Sequence, residues 1–125
     1  LLDTRTVDVV GIDPGRAEGI TGFKKATQLV ELAKRQSNAH AWSSAICSAA
    51  SLAISFSTPS AKLFEFKPLR NPMQHDLVTE PFEHTDGWVY PPTKPGLGIE
   101  IIEDVVERYR SEKVLADPAA VGALV

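Results

Sequence analysis

Three short runs of β-forming residues alternate with two helical patterns in the first half of this chain, and each run ends on or beside an ionisable side chain. Val7-Asp8-Val9-Val10-Gly11-Ile12 is rich in β-branched residues and stops at Asp13-Pro14-Gly15, the composition of a buried strand entering a turn. From about Thr21 to Gln36, Phe23, Ala26, Leu29, Val30 and Ala33 recur at the helical period. Lys24, Lys25, Gln28, Glu31, Lys34 and Arg35 fall on the other face, which predicts a surface helix packing one stripe on a sheet. Asn38 to Trp42 reads as a second strand, and Ser43-Ser44 offers an N-cap to a well-buried helix over Ala45 to Phe56. Ala61 to Phe66 is a third strand, closed by Lys67-Pro68. Strand, helix, strand, helix, strand implies an α/β fold with parallel pairing through right-handed crossovers.

After Pro68 the texture changes. Residues 68–98 hold most of the prolines and show no helical period. Glu80 to Tyr90 reads as a hairpin turning at Asp86-Gly87. Pro95-Gly96-Leu97-Gly98 leads into a last helix from about Ile102 to Val114, with Val105, Val106 and Tyr109 as its stripe. Glu103 and Asp104 suit its positive end, and Arg108, Arg110 and Lys113 the other. The expected organisation is 1–67 for the strand–helix units, 68–115 for a returning segment, and 116–125 as a loose tail.

A formal net charge of −3 supplies no broad cationic field for nucleic acid or an anionic membrane surface. No apolar run approaches the roughly 20 residues that span a bilayer. The single cysteine, Cys47, excludes an internal disulfide and a Cys-based zinc site; it reads as a buried filler in a chain of the reducing cytoplasm. The only methionine is Met73 and the chain opens at Leu1, so the expectation is a chain trimmed, processed or cut out of a longer protein.

Asp13, His40 and Glu65 stand 27 and 25 residues apart, about one strand–helix unit each. Parallel strands point the same way, so these three side chains are expected at one C-terminal edge, where ligands bind in parallel α/β folds. Each has a plainer reading alone. Asp13 before Pro14-Gly15 suits a turn former, His40 a satisfied buried histidine, and Glu65 an outward residue of a half-buried strand. Together they point to function. His75 and His84 near Asp76, Glu80, Glu83 and Asp86 match no standard metal spacing and read as a solvated loop. Ser43 and Ser44 beside His40 lack the Gly-x-Ser-x-Gly elbow of a hydrolase and are better explained as a helix cap. Trp42 and Trp88 read as packing groups, with Trp42 a candidate wall of the pocket.

The run Val7 to Thr21 resembles the sixth barrel strand and following turn of the enolase superfamily, in its mandelate racemase/muconate lactonizing enzyme branch. His40 lies where that branch places its strand-seven histidine, and Leu63-Phe64-Glu65 resembles strand eight. Asp86-Gly87-Trp88-Val89, Pro95-Gly96-Leu97-Gly98-Ile99-Glu100 and Val105 to Arg110 are similar to the segment returning to the capping domain. The resemblance implies the C-terminal portion of a TIM-type (β/α) barrel, strands six to eight, plus a hairpin and helix. It implies Mg²⁺ held by residues outside this chain, and a small carboxylate or sugar-acid substrate. It casts Asp13 as the partner orienting His40, His40 as the base at the α-carbon, and Glu65 as a hydrogen-bond donor to the ene-diolate, shielded by Phe64 and Phe66. A sugar-acid dehydratase, or a racemase or epimerase, is the implied activity; the alternative is a non-catalytic half-barrel or inactive remnant. Glu18-Gly19 departs from the branch's usual Gly-Gly, and the last helix lacks the expected Asp cap. A full barrel takes about 250 residues, so an incomplete barrel is expected to need the rest of its parent, or to self-associate.

Overall fold

The computed structural model describes residues 2, 6–67 and 69–110. The expected tail at 116–125 and last turn at 111–114 lie outside them. The elements are β1 (Val9–Ile12), α1 (Gly19–Leu32), β2 (Gln36–Ala39), α2 (Ala45–Phe56), β3 (Ala61–Phe64), α3 (Pro72–His75) and α4 (Glu103–Tyr109).

The three strands pair in the order β1-β2-β3, both ladders parallel. The alternation of residue classes thus gives the topology it predicts. Val10 and Ile12, Ala39 and Phe64 turn toward the helices, where Phe23, Val30 and Ile54 close the core. Phe23 and Ile54 are almost wholly buried, each contributing about 2 to 3 kcal/mol of transfer free energy. The opposite face is bare: Val9 and Gly11 are exposed and Leu63 is 70% exposed. Among the described residues the sheet has three strands and both edges open, so the chain forms an arc and does not close.

Helix α1 begins at Gly19 and ends at Leu32, earlier at both ends than its hydrophobic period suggests. Its start is forced by Glu18 (φ 58°) and Gly19 (φ 72°), both left-handed. A glycine is also needed at position 22, where a Cβ would stand 1.8 Å from the carbonyl oxygen of Ala17. Its end is a Schellman turn: Lys34 takes φ 54°, its N–H reaching the Glu31 carbonyl while that of Arg35 reaches Val30. Polypeptide that the period assigns to helix thereby becomes the start of β2, and the Gln36 N–H donates to the carbonyl of Asp8, just before β1. Lys24, expected in solvent, donates to the Ser57 carbonyl at the end of α2 (2.7 Å). Leu29, expected in the core stripe, is 60% exposed, and buried Thr27 takes a core position with its hydroxyl on the Lys24 carbonyl.

Ser44 caps α2 as expected, accepting from the Cys47 N–H. The segment after β3 holds a short helix that the proline count obscures: the Asn71 side chain accepts from Met73 N–H, and Pro72 takes the first helical position. Asp86 (φ 51°) and Gly87 (φ 81°) make the expected turn, with Thr85 and Trp88 bonded to each other across it. The expected hairpin goes no further, because its flanks form no ladder. Buried Leu77 and Val78 tie the segment back through a Val78–Ile101 bridge and an Ile102 N–H to the Leu77 carbonyl. Helix α4 stops at Tyr109, since Arg110 is extended; of its predicted stripe only Val105 is fully buried. Among the described residues, no helix is long and apolar enough to cross a membrane.

Candidate active site

The ladder registers dictate what meets at the C-terminal edge. Ile12 pairs with Ala39 and Ala39 with Phe64, so the next row is Asp13, His40 and Glu65. Neighbours in such a row lie about 4.8 Å apart and share a face, here the one turned away from the helices. The 25-residue spacing of His40 and Glu65 depends on an irregularity. Ser37 pairs with Ala61 but Asn38 with Leu63, so Lys62 is an extra residue absorbed as a β-bulge. In the unbulged continuation of the Ser37–Ala61 pairing, Phe64 would stand beside His40.

The three side chains meet. His40 Nδ1 lies 2.9 Å from Asp13 Oδ2, and His40 Nε2 lies 3.9 Å from Glu65 Oε2. Asp13 is mostly buried, its side chain 15% exposed, while His40 is 46% and Glu65 35% exposed. Asp13 is also held through Oδ1, which accepts the Gly15 N–H at 2.7 Å. Asp13 therefore serves the turn and meets His40 with different oxygens. Burial pushes the Asp13 carboxyl up. The hydrogen bonds from His40 and Gly15, with the charges of His40 and Arg16, outweigh that and hold it below the ordinary aspartate value. An ionised carboxylate only accepts, so Nδ1 carries the proton toward Asp13 and Nε2 is the imidazole's lone-pair edge in its neutral form. A gap of 3.9 Å to Glu65 is too long for a hydrogen bond and leaves that edge uncommitted.

Trp42, two residues past the histidine, has its ring stacked with the imidazole, centroids 6.3 Å apart and planes 20° apart. Phe64 does not shield Glu65 as expected: alternation sends it into the core, and Phe66 packs edge-on against His84 instead. Cys47 is half-buried rather than a sealed filler, its Sγ 3.9 Å from Asp13 Oδ1.

Sequence reading missed what holds the end of β2. Past the last ladder pair, the carbonyls of His40 and Ala41 are met by side chains of α2. Ser51 Oγ reaches the first at 3.5 Å and Ser48 Oγ donates to the second at 2.8 Å. Buried Gln74 of α3 in turn donates Nε2 to Ser48 Oγ at 2.7 Å. The available signal was the placement of Ser48 and Ser51 three residues apart on a helix that is apolar but for these and Ser55.

Among the described residues, no three His, Cys, Asp or Glu side chains gather as a metal-holding group. His75 has Nδ1 on the backbone of Asn71, and His84 sits on Phe66, so the two do not converge on an ion. The described residues therefore do not fit a Mg²⁺ site of their own.

The "Enolase C-terminal domain-like" family model matches residues 1–105. D-mannonate dehydratase of Sphingomonas sp. strain SKA58 is 27% identical over 116 residues, covering 90% of this chain and 28% of that protein. A Bordetella bronchiseptica RB50 protein provisionally assigned as a mandelate racemase, solved with 2-oxoglutarate/phosphate, superposes with a TM-score of 0.82 at 29% identity. That match covers 89% of this chain and 30% of the other. An enolase from Pantoea ananatis with bound D-gluconate and Mg gives 0.76 at 27% identity, covering 90% and 27%. The chain spans 22% to 31% of the length of the curated relatives it matches. Parallel strands delivering an aspartate, a histidine and a glutamate to one rim, in a chain that this family model matches over most of its length, make it a member of the enolase C-terminal domain family, in the mandelate racemase/muconate lactonizing enzyme group of the enolase superfamily.

Proposed function

We propose that this chain supplies the general base of an enzyme that removes the α-proton of a sugar acid and expels the neighbouring hydroxyl, a dehydratase. The observation that carries the reading is His40, fixed at Nδ1 by Asp13 and open at Nε2 toward Glu65. Nε2 takes the proton from the carbon beside the substrate carboxylate, and the C–H electron pair moves into an ene-diolate. The resulting imidazolium is stabilised by the Asp13 carboxylate. Expulsion of the β-hydroxyl draws on that electron pair, and the His40 proton leaves with it as water. Glu65, across the gap, hydrogen-bonds an ene-diolate oxygen, and Trp42 walls the site on the side of the imidazole.

Relatives that are D-mannonate, D-gluconate and D-xylonate dehydratases support this substrate class. Mg²⁺, present in the D-gluconate-bound structure from Pantoea ananatis, would be held by residues outside this chain, where it would stabilise negative charge on the substrate carboxylate.

The test is exchange of the α-proton in D2O by the full-length gene product over a panel of sugar acids. The wild type exchanges and His40→Asn abolishes exchange; unchanged exchange in that variant would overturn the assignment. The bare inner face and open edges favour a second reading, a non-catalytic assembly unit. A folded wild-type protein that neither binds nor exchanges any sugar acid would favour that one.

A further inference from the structure

We propose that Gln74 is a positioning residue for His40: acting through Ser48, it fixes the backbone just past the base, and it does so at a cost in stability. The inference rests on the reading of His40 as the base and adds to it a residue from the segment after β3. β2 ends at Ala39, and past it the His40 N–H donates to the Ile12 carbonyl at 2.8 Å. From the helix side, Ser48 Oγ donates at 2.8 Å to the Ala41 carbonyl, in the peptide group that leads into Trp42. A serine or threonine inside a helix often turns its hydroxyl back onto a carbonyl three or four residues earlier. Ser55 of the same helix does so, onto Ser51 at 2.8 Å, as does Thr27 of α1, onto Lys24 at 2.9 Å. Ser48 instead points its proton at Ala41. Gln74 Nε2 donates to its oxygen at 2.7 Å, and a hydroxyl has one proton beside its two lone pairs. With a donor seated on one lone pair, the proton is turned away from Gln74 and toward Ala41.

The other half of the same amide is unsatisfied. Gln74 is 7% exposed, and its buried Oε1 has no hydrogen-bond partner among the described residues. Turning the amide over does not help, because Oε1 would then face an Oγ whose only proton is already given to Ala41. A buried carbonyl oxygen without a donor destabilises a fold, and an apolar side chain of similar length avoids that loss. For folding alone, glutamine is therefore a poorer residue here than methionine. What it adds is direction at Ser48, and through Ser48 a fixed peptide plane between the base and the indole stacked on it.

The experiment is Gln74→Met in the full-length protein, which keeps the length of the side chain and removes both amide atoms. Unfolding in urea is expected to show a midpoint equal to or above that of the wild type. Over the same pair, kcat for α-proton exchange is expected to fall about tenfold with KM within about twofold. A loss confined to kcat at undiminished stability is what positioning moves and a purely structural role does not. A readout without turnover comes from protein carrying isotopically labelled histidine. There the His40 Nδ1–H signal, identified by its loss in His40→Asn, is expected to shift in Gln74→Met. Unchanged kcat in an active protein, an unchanged His40 signal, or a fall in kcat that only tracks a fall in midpoint would overturn the proposal. Where Gln74→Met does not fold, Gln74→Leu is read in the same way; failure of both would assign Gln74 to the fold and overturn the proposal as well. A shifted His40 signal in a protein that exchanges no α-proton of any sugar acid would remove the dehydratase reading and leave the Gln74 assignment standing.

Discussion

Asp13 uses its two carboxylate oxygens for two purposes: Oδ2 faces Nδ1 of His40 at 2.9 Å, and Oδ1 takes the N–H of Gly15 at 2.7 Å. The turn that ends β1 and the histidine that follows β2 are thus bonded to one side chain.

Replacing it separates charge from shape. Asp13→Asn keeps the volume but presents either an amide donor or a neutral oxygen to Nδ1, and is expected to lower kcat about 10²- to 10⁴-fold, read by steady-state turnover of the full-length enzyme. The same residue gives a pH signature. Its folded-state value lies below the ordinary one, so its stabilising contribution is full above the unfolded value of about 3.9 and is lost as pH falls through the lower folded value. Chemical denaturation at pH 3 to 6 should show the wild type losing stability in the acid part of that range more steeply than Asp13→Asn. Parallel curves would refute the coupling.

Lys62 makes a less obvious prediction. It is the extra residue in β3, so deleting it leaves a regular ladder in which Leu63, Phe64 and Glu65 still meet Asn38, Ala39 and His40. The deletion is expected to fold and to keep activity within about threefold, whereas one alanine inserted between Phe64 and Glu65 turns the carboxylate to the other face and abolishes activity. A dead Lys62 deletion with a native circular dichroism spectrum would show that the bulge itself has a role.

Gln74 and Ser48 hold the exit of β2. Ser48→Ala leaves the Ala41 carbonyl and the Gln74 amide buried without their partner, and is expected to cost about 1 to 3 kcal/mol in urea unfolding. Fluorescence of Trp42 in a Trp88→Phe background should shift with it, because the released backbone is the one that carries the indole. An unchanged midpoint would mean water replaces the hydroxyl at no cost.

Leu29 at 60% exposed and Leu32 at 80% flank a groove that Val10 and Ile12 also line. Apolar surface of that kind beside an open strand edge favours association. The 125-residue chain is expected to sediment above monomer mass at tens of micromolar, and Leu29→Glu with Leu32→Lys to shift it toward monomer. A strictly monomeric wild type would contradict this.

The parts of the structure legible in the sequence were those governed by period and spacing. Val10, Ile12, Phe23 and Val30 announced the sheet and its covering helix, and the near-equal intervals between Asp13, His40 and Glu65 announced their meeting. What the sequence concealed was set by backbone irregularity. No residue type marks the bulge at Lys62, because any side chain fits there. The left-handed Lys34 ends α1 where a glycine would have been looked for, so helix was expected too far. Asn71-Pro72 carries a readable cap, but the surrounding prolines masked it. Leu29 was expected inside because its period fits the stripe, yet no described element of this chain covers it.

Along β1 and β2 the side chains that make the core and those that share the face of Asp13, His40 and Glu65 alternate. Val10, Ile12 and Ala39 look one way, Val9, Gly11 and Asn38 the other. A saturation scan of these strands should therefore sort itself into two interleaved sets, one failing in protein abundance and the other in chemistry alone. The second set is open to redesign without asking anything of the first.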